Sequence, residues 1–130
     1  MRYLNLSTID NDAFFDFENL EELDLCRNKL TKIESNSFQH LNKLKKLSLG
    51  ENRIKEVDSN GFQGLDNLEE LNLGENRLTK IESNSFQHLK KLNRLYISRN
   101  LIRIKDLNGF QGLENLEELA LEVNKLTKIE

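Results

Sequence analysis

The sequence contains no proline and no tryptophan, and its only cysteine is Cys26. A single cysteine excludes an internal disulfide framework and a cysteine-based zinc site. There is no run of about 18 consecutive apolar residues, so we expect no membrane insertion. Residues 1–10 lack a basic segment followed by an apolar stretch, which is the pattern of a targeting signal. The chain therefore shows no feature of a disulfide-stapled or membrane-inserted protein.

The sequence also has a small net charge and lacks common catalytic motifs. The chain has 19 basic and 22 acidic residues, giving a net charge of −3. The absence of a strong field of one sign predicts no binding to nucleic acid or to an anionic membrane. None of the patterns G-x-x-x-x-G-K, H-E-x-x-H and G-x-S-x-G occurs. We therefore expect a protein with no catalytic site, no cofactor and no metal site.

Leucine, by contrast, accounts for 25 of the 130 residues, and it recurs with a period of 24. Five columns share this period. Their members are Leu20, Leu44, Leu68, Leu92 and Leu116; Leu23, Leu47, Leu71, Leu95 and Leu119; Leu25, Leu49, Leu73, Ile97 and Leu121; Leu30, Ile54, Leu78, Ile102 and Leu126; and Phe14, Phe38, Phe62, Phe86 and Phe110. A fixed period of this length indicates a stacked repeat architecture. Within each repeat, the apolar–polar–apolar alternation predicts a half-buried strand.

A second period of 48 lies over the first. Residues 20–47 and 68–95 are identical at 21 of 28 aligned positions. One type of repeat carries Glu-Ser-Asn-Ser-Phe-Gln-His-Leu, and the other carries Asn-Gly-Phe-Gln-Gly-Leu. This pattern indicates either recent duplication or deliberate construction, and the sequence does not separate the two.

The pattern L-x-x-L-x-L-x-x-N-x-L with a late phenylalanine resembles the typical 24-residue class of leucine-rich repeats, as in Toll-like receptor ectodomains and variable lymphocyte receptors. The resemblance implies an α/β fold: a right-handed, curved solenoid with a parallel sheet on the concave face and loops or short helical turns on the convex face. It divides a single domain, 1–130, into a partial repeat 1–19, repeats 20–43, 44–67, 68–91 and 92–115, and a partial repeat 116–130.

A column of asparagines follows the strand leucines, formed by Asn28, Asn52, Asn76, Asn100 and Asn124. Each turn leaves backbone groups without sheet partners, and an asparagine amide can both donate to and accept from them. An unpaired buried group costs about 1–3 kcal/mol. We therefore expect this ladder to be structural and replacement of Asn76 to destabilise the fold more than replacement of Asn72.

Other reactive side chains favour structural interpretations. The outward residues Glu22, Lys46, Glu70, Arg94 and Glu118 alternate in sign, which predicts lateral ion pairs rather than an acid–base couple. Stacking would place the two histidines, His40 and His88, about 10 Å apart, too far to share a metal ion. Cys26 falls on a predicted outward strand position, where an incidental free thiol is favoured over a reactive one.

In this family partners usually dock on the concave face, so the outward strand residues are the candidate binding surface. From these and the adjoining turn we select Lys46, Asn72, Arg94, Tyr96, Ser98 and Arg99. Tyr96 is the only aromatic residue at these positions, and tyrosine and arginine are enriched at binding hot spots.

The fourth repeat also carries Leu101, Ile104 and Leu107 where its siblings have polar residues. Either this repeat forms a contact patch around Tyr96, or its loop has slipped and its core has repacked. The sequence leaves both explanations open.

The resemblance favours a non-catalytic protein-binding module from a receptor or adhesion-type protein, which would be extracellular or at the cell surface. The alternative is a structural or designed repeat scaffold without a dedicated ligand. Neither end shows the polar cap that a solenoid needs. We therefore expect an uncapped fragment of a larger protein, with possible end-to-end self-association.

Overall fold

The computed structural model describes residues 4–82, 84–103, 110, 113–122 and 124. Its main element is a five-stranded parallel sheet in which each strand pairs with the next repeat. The five strands are β1 (Glu22–Asp24), β3 (Lys46–Ser48), β5 (Glu70–Asn72), β6 (Arg94–Tyr96) and β7 (Glu118–Ala120). The parallel solenoid predicted from the leucine spacing is confirmed.

The register of the sheet follows the 24-residue period. Leu23 pairs with Leu47, and the same column continues through Leu71, Leu95 and Leu119. The first four of these leucines are buried, whereas Leu119 is 38% exposed. The central leucines of the first four strands thus point into the core, and the first and third residues of these strands face outward.

A second, two-stranded parallel sheet was not predicted. It pairs β2 (Lys32–Ile33) with β4 (Glu56–Val57), and Ile33 and Val57 are buried. Between β2 and β3 the chain runs through turns, in which the Ser37 amide donates to the Glu34 carbonyl. In the described residues the side opposite the main sheet is therefore built from turns and these short strands.

The phenylalanine column forms a stack through the interior. Ring centroids lie 6.0 Å apart for Phe14 and Phe38, 6.3 Å for Phe38 and Phe62, and 6.0 Å for Phe62 and Phe86. Phe86 and Phe110 are also 6.0 Å apart. Because each ring packs on the rings of neighbouring repeats, no repeat completes its core alone.

The asparagine column closes the turn that follows each main strand. Asn76 Oδ1 accepts the Ile54 amide at 3.0 Å, and Asn76 Nδ2 donates to the carbonyls of Leu49, Leu73 and Gly74 at 3.0–3.1 Å. Asn52 makes the equivalent set of bonds one repeat earlier. Each side chain therefore joins its own turn to that of the preceding repeat.

The same turn contains a left-handed residue in every described repeat. Arg27, Glu51, Glu75 and Arg99 have φ between 53° and 59°, a region that non-glycine residues rarely adopt. Their amides donate to carbonyls of the next repeat at 2.8–3.0 Å. These bonds and the adjacent asparagine stabilise a backbone conformation that the residue types alone would disfavour.

Candidate functional site

The outward surface of the five-stranded sheet, here called the strand face, presents two side chains per strand. They are Glu22 and Asp24, Lys46 and Ser48, Glu70 and Asn72, Arg94 and Tyr96, and Glu118 and Ala120. Strands only three residues long limit this face to a narrow band, which the flanking turns extend.

The first residue of each strand takes part in a ladder of alternating charge. Lys46 Nζ lies 3.7 Å from Glu22 Oε1. Arg94 contacts a carboxylate on either side, with Nη1 3.5 Å from Glu70 Oε1 and Nε 3.7 Å from Glu118 Oε2. Four of these five side chains are more than half exposed and Glu70 is 29% exposed, so each pair contributes little to stability. The ladder neutralises most of the charge along this edge of the strand face.

A recess of about 390 Å³ opens on the strand face across the first four strands of the sheet. Its polar walls include Asp24, Lys46, Ser48, Glu70, Asn72 and Tyr96, and Leu23 and Leu47 also line it. Of the residues selected from the sequence, Lys46, Asn72 and Tyr96 lie together here. Arg94, Ser98 and Arg99 do not line the recess.

Tyr96 lies opposite Asn72 in the sheet register, and its hydroxyl donates to Glu118 Oε2 at 3.3 Å. Partial burial raises the pKa of Tyr96, and the carboxylates of Glu118 and Glu70 raise it further against the opposing effect of Arg94. The phenol therefore stays neutral at physiological pH and can both donate and accept hydrogen bonds. A rigid aromatic ring with a polar end is well suited to a protein contact.

Ser98 and Arg99 lie in the turn beyond β6. The Ser98 hydroxyl donates to the Glu122 carboxylate, and this bond lowers the pKa of Glu122. Arg99 is exposed and occupies the left-handed position of the turn. Both residues border the strand face at the carboxyl ends of the strands.

Cys26 lies beside Ser48, a residue of the strand face, but its side chain is covered and not freely exposed. Cys26 follows β1 and is only 7% exposed, and its Sγ lies 2.7 Å from Ser48 Oγ. Burial raises the pKa of the Cys26 thiol, and the hydrogen bond to Ser48 offsets part of that increase. Sequence reasoning missed this because the sibling position holds glycine in two repeats, Gly50 and Gly74, which gives no indication of burial.

The histidines lie apart from the strand face, each beside an oxygen of a preceding repeat. His40 Nε2 is 3.5 Å from Asp12 Oδ1, and His88 Nε2 is 3.2 Å from Asn60 Oδ1. Within the described ranges, no group of three or more His, Cys, Asp or Glu side chains could hold a metal ion.

The unusual apolar residues of the fourth repeat are only partly described. Leu101 is 39% exposed, next to the buried Ile102. Ile104 and Leu107 lie outside the described residues.

Comparison with known families decides the identity of this fold. Residues 2–54, 43–102 and 66–126 each match the model of a family described as leucine rich repeat. The chain belongs to the leucine-rich repeat family. Domains of this family are in general protein-interaction modules rather than enzymes. No curated protein matches the sequence.

Several solved leucine-rich repeat structures are similar to this chain. The leucine-rich repeat domain of APL1B superposes with a TM-score of 0.85 at 23% identity, over 95% of this chain and 37% of that chain. Toll, in its complex with Spatzle from Drosophila, superposes with a TM-score of 0.85 at 26% identity, over 94% of this chain and 16% of the Toll chain. TLR13, in complex with ssRNA13, superposes with a TM-score of 0.65 at 33% identity, over 92% of this chain and 20% of the TLR13 chain. The chain thus spans less than half of each relative.

In the stretches that the structure describes, there is no helix with the length and apolar character needed to cross a membrane.

Proposed function

We propose that this chain is a non-catalytic recognition module that binds a protein ligand through its strand face. The observation that carries the proposal is the recess lined by Lys46, Asn72 and Tyr96, of which Asn72 and Tyr96 are direct neighbours on adjacent strands. Together they offer a cation, an amide and an aromatic ring within one depression. Protein interfaces depend on a few such residues in a concave, partly desolvated patch.

Two further features support a protein ligand over other partners. Toll is similar to this chain and is seen in complex with Spatzle. The net charge of −3 disfavours the many phosphate contacts that supply nucleic-acid affinity. TLR13 is nevertheless seen with ssRNA13, so RNA is the competing ligand class to be tested. The proposal includes no cofactor and no membrane insertion, and places the parent protein outside the cell or at its surface.

A repeat scaffold without a dedicated ligand is the second candidate. The charge ladder favours it, because Glu22, Glu70 and Glu118 have their cationic partners on the same surface. A face whose charges neutralise one another needs no external partner. The identity of 21 of 28 positions between residues 20–47 and 68–95 also fits a constructed spacer.

Selection against the wild-type chain separates the two candidates. A library of secreted protein domains is panned on the immobilised chain, and the selected domain is titrated against Tyr96→Ala and Arg94→Ala. Lys43→Ala is the matched control, because Lys43 is exposed and contacts only Asn19 in the described residues. We expect at least tenfold weaker binding for both strand-face variants and no change for the control. Unchanged affinity for Tyr96→Ala and Arg94→Ala would refute the proposal. It would also be refuted if the protein library yielded no binder while a parallel selection from an RNA library did.

A further inference from the structure

A row of exposed cations lies just beyond the asparagine turns, on the flank where the main strands end. We call it the basic flank, and it comprises Lys29, Arg53, Lys55, Arg77 and Arg103. The five residues occupy only two positions of the repeat, separated by one residue whose side chain is buried. The remaining described residues at these two positions are Asn5, Ser7, Thr31, Thr79 and Leu101, so neither position carries a carboxylate in the described repeats.

Backbone hydrogen bonds fix the spacing of the basic flank. The Arg53 amide donates to the Leu30 carbonyl at 2.8 Å, and the Arg77 amide donates to the Ile54 carbonyl at 2.8 Å. The Lys55 amide donates to the Thr31 carbonyl at 2.9 Å. Backbones joined in this way lie about 4.8 Å apart. The cations therefore project from a rigid row and not from mobile loops.

The basic flank differs from the other charged surfaces in lacking internal partners. In the described ranges none of its five side chains forms an ion pair. On the opposite flank, where the strands begin, Lys45 Nζ lies 3.3 Å from Glu21 Oε1. Cations at the starts of strands are thus interspersed with carboxylates, whereas those of the basic flank are free to contact a ligand.

We propose that the basic flank binds an acidic, extended segment of a protein partner, at a surface separate from the recess. An arginine guanidinium forms paired hydrogen bonds with a carboxylate, which suits Arg53 and Arg77. In an extended peptide, carboxylates on alternate residues lie about 6.6–6.8 Å apart, within reach of long side chains on this row. A single-stranded polynucleotide also carries regularly spaced anions, and the titration below separates it from the acidic peptide.

A titration with a fluorescent peptide of eight glutamates tests the proposal at low ionic strength. The test variant is Arg53→Gln/Arg77→Gln, and the control is Lys43→Gln/Lys90→Gln on the opposite flank. Both double variants remove two positive charges from exposed positions, so their effect on the overall field is matched. We expect the dissociation constant to rise about tenfold for the test variant and less than twofold for the control. Binding should also weaken as salt is added.

Three results would overturn the proposal. The first is absence of peptide binding to the wild-type chain at low salt. The second is an equal loss of affinity in both double variants, which would indicate a non-specific charge effect. The third is tighter binding of a single-stranded oligothymidylate than of the peptide, with the same dependence on Arg53 and Arg77, which would assign the flank to nucleic acid. Thermal melts of each variant would verify that it remains folded.

Discussion

Two asparagines of the third repeat, only four residues apart, show how differently two regions of this molecule use the same side chain. Asn76 is 7% exposed and bonds four backbone groups in two turns. Asn72 lies on the strand face. Its Oδ1 accepts the Gly74 amide at 2.8 Å, and its Nδ2 lies 3.5 Å from Ser48 Oγ. The interior columns therefore join neighbouring repeats, and we expect substitutions on the strand face to cost less stability than substitutions in those columns.

The largest effect should come from removing a ring of the interior stack. Phe62 is fully buried between Phe38 and Phe86, and Phe62→Ala should lower the free energy of unfolding by about 3–5 kcal/mol. Phe15 is 63% exposed, so Phe15→Ala is the matched control and should cost under about 1 kcal/mol. Urea denaturation of both variants measures the difference. A similar decrease in the free energy of unfolding for Phe62→Ala and Phe15→Ala would contradict the division between interior and surface.

The asparagine pair should show the next largest difference. Asn76→Ala leaves the Ile54 amide and three carbonyls without their side-chain partner, and should cost about 3 kcal/mol. Asn72→Ala removes one well-formed bond at a partly exposed site, and should cost about 1 kcal/mol or less. Equal midpoints of urea unfolding would show that the turn does not depend on Asn76.

These two interior columns were largely predictable from the sequence, because one residue type at a fixed 24-residue spacing has a single stacking solution. The sheet β2–β4 was not predictable, since Lys32–Ile33 and Glu56–Val57 are too short to show a strand period. The left-handed turn could not be predicted either, because glycine usually marks such a position and the sequence has Glu51 and Glu75 there. The recess could be located only in part, since its shape depends on which outward side chains meet across strands.

The charge ladder should contribute a smaller amount to stability. Arg94→Glu would place a third carboxylate between Glu70 and Glu118, and we expect a loss of about 0.5–1 kcal/mol at low salt. About 0.5 M salt should remove most of that loss, because exposed charges are screened. Lys43→Glu, which changes the net charge equally outside the ladder, is the control. A loss that persists at high salt would indicate a packing defect instead.

Cys26 provides a chemical probe of the covered part of the strand face, and this probe requires no substitution. Because its pKa is raised above that of an ordinary thiol, less thiolate is present at pH 8, and burial limits access as well. Alkylation by iodoacetamide should be at least about tenfold slower in the folded chain than in urea, and should accelerate as the pH rises past 9. Equal rates in both conditions would place the thiol on the surface.

End-to-end association should be the weakest effect. Leu119 offers exposed apolar surface at one end of the sheet, which favours contact between copies. In-register stacking would, however, place Glu118 of one copy beside Glu22 of the next, since both occupy the first strand position. We therefore expect association only at high protein concentration and more of it at high salt. Sedimentation showing a monomer under both conditions would contradict this prediction.

Native-state hydrogen exchange tests the central claim most directly, because it observes the turn amides one by one. The Leu30, Ile54 and Leu78 amides donate to Oδ1 of Asn52, Asn76 and Asn100. We predict that these amides exchange as slowly as those of the main strands, and that Asn76→Ala selectively accelerates exchange at Ile54. If the three amides exchange as fast as those of surface loops in the wild-type chain, the asparagine column does not hold the repeats together.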